Sequence, residues 1–430
     1  MLKILKAAEV SAQTLFERRF DEQDVSRTVS EIIQNVVQNG DKALFEYCER
    51  FDGAKLSALE VSREEIEQAY AAADPELIRI LQRAAGNICA FHEKQLQTGY
   101  MISDQPGVML GVRVLPLARV GLYVPGGTAA YPSTVLMNAI PAKIAGVGEI
   151  VMVTPPSGGD VNPSILAAAK VAGVDRVFKL GGAQAVAALA YGTQSVPRVD
   201  KITGPGNVYV AEAKRQVYGR VAIDMIAGPS EILVIADETA NPAFVAADLL
   251  SQAEHDPNAV AVLLTTSAAL ANAVNAELQT QLARLSRQEI ARASLKISGR
   301  IILVEDIASA LALSNEIAPE HLELCVHNPF DYLSLVKNAG SVFLGKYAPE
   351  ALGDYFAGPN HTLPTSGTAR FSSPVSVDDF VKKMQYTYYT KAAIAGVAGD
   401  IARFANEEGL GAHANSVTIR MQAEEGDETL

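Results

Sequence analysis

The sequence predicts an α/β protein with two parallel-sheet domains and small helical segments at its N and C termini. From Ala118 onwards, short apolar strands alternate with helices of about 10–15 residues, which is the pattern of βαβ units in a parallel sheet. The alternation occurs in two successive series, and a chain of 430 residues exceeds the usual size of one domain. The first hundred residues have the periodicity of amphipathic helices instead.

The first series runs from Ala118 to about Ser230. Its strands lie in ARVGLYV, EIVMVT, RVFKL and KIT, and its helices lie in STVLMNAIPAKIAGV, PSILAAAKVAG, AQAVAALAYG and NVYVAEAKRQVYG. The alternation predicts a Rossmann-like sheet with helices packed on its faces.

The second series begins with EILVIADE and predicts a second Rossmann-like sheet. Further strands lie in AVAVLLTT, RIILVED, HLELCV and SVFLG, and the intervening helices include PAFVAADLLSQAEH and IASALALSNEIA. After about Asp378 the pattern predicts helices again, starting with DDFVKKMQY. The acidic end, AEEGDETL, is expected to be disordered.

The bulk composition excludes several classes of protein. A net charge of −13 argues against nucleic acid or an anionic membrane as the main partner. The start, MLKILKAAEV, lacks a secretory signal, and the sequence contains no apolar run long enough to span a bilayer. Cys48, Cys89 and Cys325 show no paired spacing, so neither disulfides nor a thiolate metal site is indicated. We therefore expect a soluble, cytoplasmic protein.

Glycine-rich turns follow the strands of the first series, in VPGGTAAYPS, LGGAQAV, TGPGNVYV and IAGPSE. Each brings glycine close to a helix N-terminus, where free N–H groups and the helix dipole favour anions. None matches the G-x-G-x-x-G dinucleotide fingerprint, and any one turn alone could serve only to reverse the chain. Four in succession favour a nucleotide or another phosphate-bearing ligand, with Tyr123, Gln184 and Asn207 as exposed polar members.

Two short segments place histidines beside polar partners. In DLLSQAEHDP, Gln252 and His255 share a helix face and either cap the helix locally or converge on a ligand. In EIAPEHLEL, Pro319 suits the first turn of a helix, with Glu320 and His321 just inside it. Either the dipole at such a helix N-terminus keeps His321 neutral and able to accept a proton, or the segment is an acidic helix start that contains a histidine by chance.

Two further segments have little periodicity. The long loop LGDYFAGPNHTLPTSGTARFSS carries Asp354 and His361, and EEGLGAHANSVTIR carries Glu408 and His413. Together, Gln252, His255, Asp354 and His413 would form a set of nitrogen and oxygen donors suited to Zn, Mn, Fe or Co. No spacing rule joins them, so their convergence is a hypothesis.

These segments together resemble the histidinol dehydrogenase family, from about Thr28 to Arg420. The resemblance is carried by VGLYVPGG, STVLMNAIPAKIAGV, GGAQAVAALAYGT, KITGPGN, DMIAGPSE, DLLSQAEH, APEHLEL, AGSVFLG, GDYFAGPNHTLPT, ARFSS and AHANSVTIR. It implies oxidation of L-histidinol to L-histidine through bound L-histidinaldehyde, the final step of histidine biosynthesis. The implied cofactors are NAD⁺, of which two are consumed for each histidinol, and Zn²⁺, of which each subunit holds one.

The resemblance also implies roles for individual residues. It assigns the metal to Gln252, His255, Asp354 and His413, catalysis to Glu320 and His321, and NAD⁺ binding to Tyr123, Gln184 and Asn207. Substrate is held by the metal ligands and His321 together with Ser230 and Glu408, and His361 lines the site. The family is homodimeric with an exchanged C-terminal segment, so His413 and Glu408 are expected to complete the partner's site.

We accordingly divide the chain into four parts. Residues 1–20 form an N-terminal helical segment, and residues 21–123 with 230–377 form the domain that carries the metal and catalytic residues. Residues 124–229 form the NAD-binding domain, and residues 378–430 form the C-terminal helical segment.

Three alternatives remain open from the residues alone. A metallohydrolase would use the same histidines and aspartate to activate water without a nucleotide. A non-catalytic α/β binding protein would use only the glycine-rich turns. Within a dehydrogenase, the Cys325 thiol could trap an aldehyde, although its place in the apolar run HLELCV favours an inert, buried cysteine.

Overall fold

A computed structural model of the chain describes residues 2–11, 15, 22–126 and 130–422. Contacts divide the chain into two compact units, one with Met1–Leu96 and Leu117–Phe380 and the other with Gln97–Pro116 and Val381–Leu430. The tail AEEGDETL, which was expected to be disordered, lies outside the described residues. Within the described part of the chain, no helix is both long and apolar enough to cross a membrane.

The N-terminal region is mainly helical, as its periodicity predicts. Its elements are, in chain order, β1 (Lys3–Lys6), α1 (Glu22–Asn39), α2 (Asp41–Asp52), β2 (Glu60–Val61), α3 (Arg63–Ala72), α4 (Pro75–His92), β3 (Tyr100–Ile102) and β4 (Val108–Pro116). Local sequence sets the helix starts: the Ser62 hydroxyl accepts a hydrogen bond from the Glu65 N–H, and Pro75 occupies the first turn after the capping Asp74.

The first βαβ series forms the β5 sheet, with strand order β2-β7-β6-β5-β8-β9. Its elements are β5 (Arg119–Tyr123), α5 (Pro132–Ala145), β6 (Glu149–Thr154), α6 (Pro163–Ala172), β7 (Arg176–Lys179), α7 (Gly182–Tyr191), β8 (Lys201–Thr203), α8 (Val208–Val217) and β9 (Ala222–Ile223). All of its pairs are parallel except the antiparallel edge pair of β2 with β7.

The second series forms the β10 sheet, which is parallel throughout, with strand order β1-β12-β11-β10-β13-β14. Its elements are β10 (Glu231–Ala236), α9 (Pro242–Ala253), β11 (Val260–Thr265), α10 (Ala268–Leu282), α11 (Gln288–Ile297), β12 (Arg300–Leu303), α12 (Ile307–Ile317), β13 (His321–Cys325), β14 (Ser341–Leu344) and α13 (Glu350–Tyr355). The two parallel sheets confirm the predicted fold class.

The second unit contains an antiparallel sheet, ordered β15-β4-β3, followed by helices. Its C-terminal elements are β15 (Val381–Tyr389), α14 (Lys391–Ala395), α15 (Ala398–Glu407) and α16 (Gly411–Gln422). The prediction of a helix through VKKMQY is therefore wrong. The stretch VKKMQYTYY is rich in aromatic residues, and it pairs with β4 along nine positions.

The N-terminal segment also departs from its prediction. Residues 1–20 were expected to be helical, but Lys3–Lys6 form a strand that pairs in parallel with β12 at the edge of the β10 sheet. The apolar Ile4 and Leu5 are half-buried and the flanking Lys3 and Lys6 are exposed, which suits a short strand at a sheet edge. Leu2 packs into the core beneath that sheet and anchors the strand.

The sheets divide the chain differently from the predicted domain boundaries. Helices α1 and α2 bury Val29 and Leu44 in the core of the β5 sheet, and α4 buries Ile88 in the core on its other face. Strand β5 itself lies in the middle of that sheet. Residues 22–123 that belong to the first unit therefore pack with the proposed NAD-binding part, because periodicity shows that a helix face is apolar but not which sheet covers it.

Candidate active site

The candidate site lies where two neighbouring strands of the β10 sheet begin. Ser230 directly precedes β10, and Glu320 directly precedes β13, whose first residue is His321. These parallel strands are hydrogen-bonded neighbours, with Ile232 opposite His321. The expectation that Glu320 and His321 occupy the first turn of a helix is therefore wrong, and a helix dipole does not account for the state of His321.

Burial keeps His321 neutral instead. The side chain is 3% exposed, and burial lowers the pKa of its imidazole to about 4, with a further lowering from His255 and an opposing effect of Glu350. Its Nδ1–H donates to the Glu231 carbonyl oxygen at 3.0 Å. That tautomer leaves Nε2 as a bare, buried nitrogen that has no hydrogen-bond partner among the described residues.

Glu320 is fixed beside His321 by the same backbone. One of its carboxylate oxygens accepts a hydrogen bond from the Glu231 N–H at 2.8 Å and lies 3.6 Å from His321 Nδ1. The N–H and carbonyl of Glu231 therefore hold the two predicted catalytic side chains in one orientation. Ser230, next to Glu231, is half-buried, and its carbonyl accepts a hydrogen bond from the Val260 N–H.

Gln252 and His255 meet at the end of α9, as their spacing predicts. The Gln252 amide Nε2 lies 3.2 Å from His255 Nδ1, so the amide donates to the ring. Gln252 is fully buried, yet its Oε1 has no hydrogen-bond partner among the residues that the structure describes. An orphaned buried oxygen costs free energy and is therefore typical of an atom that binds something from outside.

Asp354 lies on α13 rather than in the long loop, which was expected to contain it. One of its carboxylate oxygens lies 4.0 Å from His321 Nε2. Glu350, one helical turn earlier, brings a second buried carboxylate, and ligand atoms of His321, Glu350 and Asp354 all lie within 4.8 Å of one another. Burial, followed by the charge of Glu350, raises the pKa of Asp354 well above its usual range.

Sequence reasoning missed Glu350, although a signal was present. Glu350 and Asp354 are four residues apart in EALGD, a spacing that aligns two side chains on one helix face. Glu350 accepts a hydrogen bond from the Ser251 hydroxyl at 2.8 Å, and its backbone N–H donates to Glu323 at 2.7 Å. It therefore ties α13 to the helix that carries Gln252 and to the strand that carries His321.

His361 joins the same group from the long loop. Its Nδ1–H donates to the Asp354 carbonyl oxygen at 3.0 Å, and its Nε2 lies 3.2 Å from the Thr134 hydroxyl. Burial lowers the pKa of His361 to about 4, so the ring is neutral. The structure thus places His361 beside the predicted metal ligand Asp354.

The remaining predicted site residues, the metal ligand His413 and the substrate-binding Glu408, belong to the second unit. Glu408 follows α15 and His413 lies in α16, and both side chains are exposed. The first unit thus supplies Gln252, His255 and Asp354 of the predicted metal set. An imidazole and a carboxylate are common ligands of Zn²⁺, and a glutamine amide oxygen is an unusual addition to them. The orphaned Gln252 Oε1 is the observation that fits a cation there.

Cys325 does not have the properties of a nucleophile. It is 7% exposed, and burial, followed by the charges of Glu323 and Asp248, raises the pKa of its thiol far above neutral pH. Its Sγ lies 3.9 Å from a Glu323 oxygen. The thiol therefore stays protonated, in agreement with an inert cysteine.

The three predicted NAD⁺ positions lie at the carboxyl-end edge of the β5 sheet. Tyr123 ends β5, Gln184 lies in the first turn of α7, and Asn207 caps α8, where its Oδ1 accepts from the Tyr209 and Val210 N–H groups. Tyr123 and Gln184 were expected to be exposed, but they are only 4% and 1% exposed. The Tyr123 hydroxyl accepts a hydrogen bond from the Gly182 N–H at 3.0 Å, which fixes the glycine turn before α7.

Comparisons with known proteins agree on one family. A family model described as histidinol dehydrogenase matches residues 16–421. The histidinol dehydrogenase of Clostridium acetobutylicum is 56% identical over 412 residues, covering 95% of this chain and 96% of the relative. That of Bacillus thuringiensis is 57% identical over 404 residues, covering 94% of both. The crystal structure of histidinol dehydrogenase from Elizabethkingia anophelis has a TM-score of 0.91 at 42% identity, covering 98% of this chain and 97% of that one.

Proposed function

Because the chain belongs to the histidinol dehydrogenase family, a family of NAD-dependent oxidoreductases, we propose that it oxidises L-histidinol to L-histidine. The reaction passes through bound L-histidinaldehyde, consumes two NAD⁺ and uses one Zn²⁺ per subunit. The observation that carries the proposal is the buried His321, whose bare Nε2 lies beside Asp354 and whose neighbour Glu320 is anchored on the same backbone.

Gln252, His255 and Asp354, completed by His413, are the residues that would hold the zinc. The orphaned Gln252 oxygen supports this assignment, because an unpaired amide oxygen inside the protein needs an electropositive partner. When bound, zinc supplies orientation by holding the imidazole and amine of the substrate. Ser230 and Glu408 contribute polar groups to substrate binding, and His361 lines the site.

His321 acts as the general base that removes the hydroxyl proton of histidinol while hydride leaves for NAD⁺. Its low pKa keeps the ring unprotonated at neutral pH, and the bond from Nδ1–H to Glu231 directs Nε2 away from that carbonyl. Glu320 then activates a water molecule to hydrate the aldehyde, so that a second hydride transfer gives the carboxylate. A sheltered aldehyde escapes side reactions.

NAD⁺ binds at the carboxyl-end edge of the β5 sheet, next to Tyr123, Gln184 and Asn207. Support comes from the helix N-termini of α7 and α8, which begin at this edge and favour a pyrophosphate. The glycine-rich turns before both helices let a ligand approach the backbone closely.

The active form is a homodimer in which the C-terminal segment of one subunit completes the site of the other. Support comes from the exposed side chains of Glu408 and His413 and from the apolar surface of the second unit. Large apolar side chains that are exposed there include Tyr100, Met101, Ile102, Met109, Met384, Tyr388 and Phe404. Such a surface is unusual on a monomer and typical of an interface.

The test is a stoichiometric assay with purified full-length protein, L-histidinol and excess NAD⁺, read by NADH absorbance. We expect two NADH per histidinol, loss of activity after chelation and recovery with Zn²⁺. A metallohydrolase would form no NADH. A non-catalytic binding protein would also form none, and it would bind nucleotide equally well before and after chelation. Either result would contradict the proposal.

A further inference from the structure

A fully buried ion pair lies beneath the turn TGPGN, where the proposed NAD⁺ residue Asn207 is located. Lys214 in α8 and Asp224 after β9 are paired through Nζ and Oδ1, and their side chains are 2% and 0% exposed. Lys214 is among the largest fully buried side chains of the described residues. Nothing in the chemistry proposed above uses this pair.

Both charged groups hold the backbone of one residue, Gly204. The Lys214 ammonium donates to the Gly204 carbonyl oxygen at 3.0 Å, and the second Asp224 oxygen accepts from the Gly204 N–H at 2.8 Å. Asp224 is fixed in turn, because its Oδ1 accepts from the Met225 N–H at 2.6 Å and its own N–H donates to Ile202 in β8. The two peptide groups on either side of Gly204 are therefore both clamped.

Gly204 occupies a position that no other residue suits. Its φ is +111°, a conformation that L side chains rarely adopt, and a Cβ there would collide with the backbone oxygen of Tyr123. The hydrogen bonds from Lys214 and Asp224 thus hold the start of the nucleotide loop, residues 204–207, close to the end of β5. Asn207, at the other end of this loop, starts α8, the helix that carries Lys214 two turns later.

We propose that Lys214 and Asp224 are positioning residues that fix the nucleotide loop in the conformation that binds NAD⁺. The proposal rests on the proposed function. Burial of two charges is costly, and an apolar pair of similar volume often gives equal or greater stability. The stability of the fold therefore does not explain why the pair is charged. Hydrogen bonding does, because an apolar pair could not hold both the N–H and the carbonyl of Gly204.

The experiment compares zinc-loaded, full-length variants by calorimetric NAD⁺ and histidinol titrations, thermal melting and hydrogen exchange of the loop amides. Lys214→Met should raise the NAD⁺ dissociation constant by about tenfold or more, because that is the usual effect of losing a hydrogen bond from a charged group. It should leave the histidinol dissociation constant unchanged and speed exchange at Gly204. Lys143→Met, which removes an exposed ion pair between α5 and Asp175 in the turn before β7, is the matched control and should behave as wild type.

The double variant Lys214→Met/Asp224→Leu separates positioning from stability. It lacks the unpaired buried carboxylate that Lys214→Met leaves behind, so it should melt above that single variant. Its NAD⁺ affinity should stay low, because the Gly204 peptide groups remain unheld, and it also serves if a single variant does not fold. Wild-type NAD⁺ affinity in Lys214→Met or in the double variant would overturn the inference. A wild-type protein that neither binds NAD⁺ nor forms NADH would instead overturn the proposed function.

Discussion

Replacing Gln252 with methionine should make the metal-free protein more stable and the zinc-treated protein less stable than wild type. Gln252 Oε1 is buried without a hydrogen-bond partner among the described residues, and such a group costs about 1–3 kcal/mol. Methionine has a similar length and removes that cost, but it also removes the bond from the amide to His255, worth about 1 kcal/mol. The net gain of about 1 kcal/mol corresponds to a rise of about 2 °C in the melting temperature without metal.

Zinc should reverse the order of the two proteins. At a free concentration about 100 times the dissociation constant, a ligand that binds only the native state adds about 2.7 kcal/mol. Wild type should gain this stability. Gln252→Met should gain much less, because the variant lacks the amide oxygen that is proposed to bind the zinc. Thermal melting of chelated and zinc-treated samples measures the stability, and elemental analysis after dialysis measures bound zinc.

The matched control is Gln281→Met. The Gln281 amide already donates to the Ala243 carbonyl at 2.9 Å, on the same helix that carries Gln252. Its loss should lower the melting temperature slightly and leave zinc binding unchanged. The reasoning is refuted if Gln252→Met retains stoichiometric zinc with the wild-type thermal shift, or if its metal-free form melts below wild type.

Three further changes test separate features. His321→Asn should lower kcat by about 10²–10⁴-fold, the contribution of a general base, while zinc content and histidinol binding are retained; near-normal turnover would contradict its role. Cys325→Ala should leave the turnover number unchanged, because the thiol is buried and protonated, and a selective loss of turnover in a folded variant would revive the thiol as a nucleophile. Burial raises the pKa of Asp52 to about 6, so its stabilising effect is present below its unfolded pKa and is lost as pH rises through 6. Asp52→Asn should therefore be more stable than wild type at pH 7–8 by about 1 kcal/mol after allowance for partial exposure, and its melting temperature should be higher there. At about pH 3 the two proteins should have the same melting temperature. An equal melting temperature at pH 8 would count against a desolvated carboxylate.

Several parts of the site follow from local spacing. Gln252 and His255 are three residues apart on a helix, so their contact is local and independent of the rest of the fold. The same reasoning, applied to Glu350 and Asp354, would have identified the second carboxylate. Where a helix was assumed without support from periodicity, as at Glu320 and His321, the prediction failed because β13 begins there.

Other properties of the site depend on contacts between residues far apart in the chain. His321 is neutral because its side chain is buried, and the Glu231 backbone, 90 residues away in sequence, selects its tautomer. The Lys214–Asp224 pair has the same character, since neither residue is adjacent to the glycine that it holds. No periodicity or motif encodes such long-range partners.

By itself, the sequence determined the alternation of strands and helices, the two parallel sheets, the family and the set of candidate residues. These follow from which positions are apolar, from turn chemistry and from motifs that are contiguous in the chain. Only the tertiary structure decided which sheet the N-terminal helices cover, that Val381–Tyr389 is a strand, and that Glu350 joins His321 and Asp354. The physical reason is that burial and pairing are properties of the partner as well as of the segment, and a single sequence specifies the apolar face without naming what packs against it.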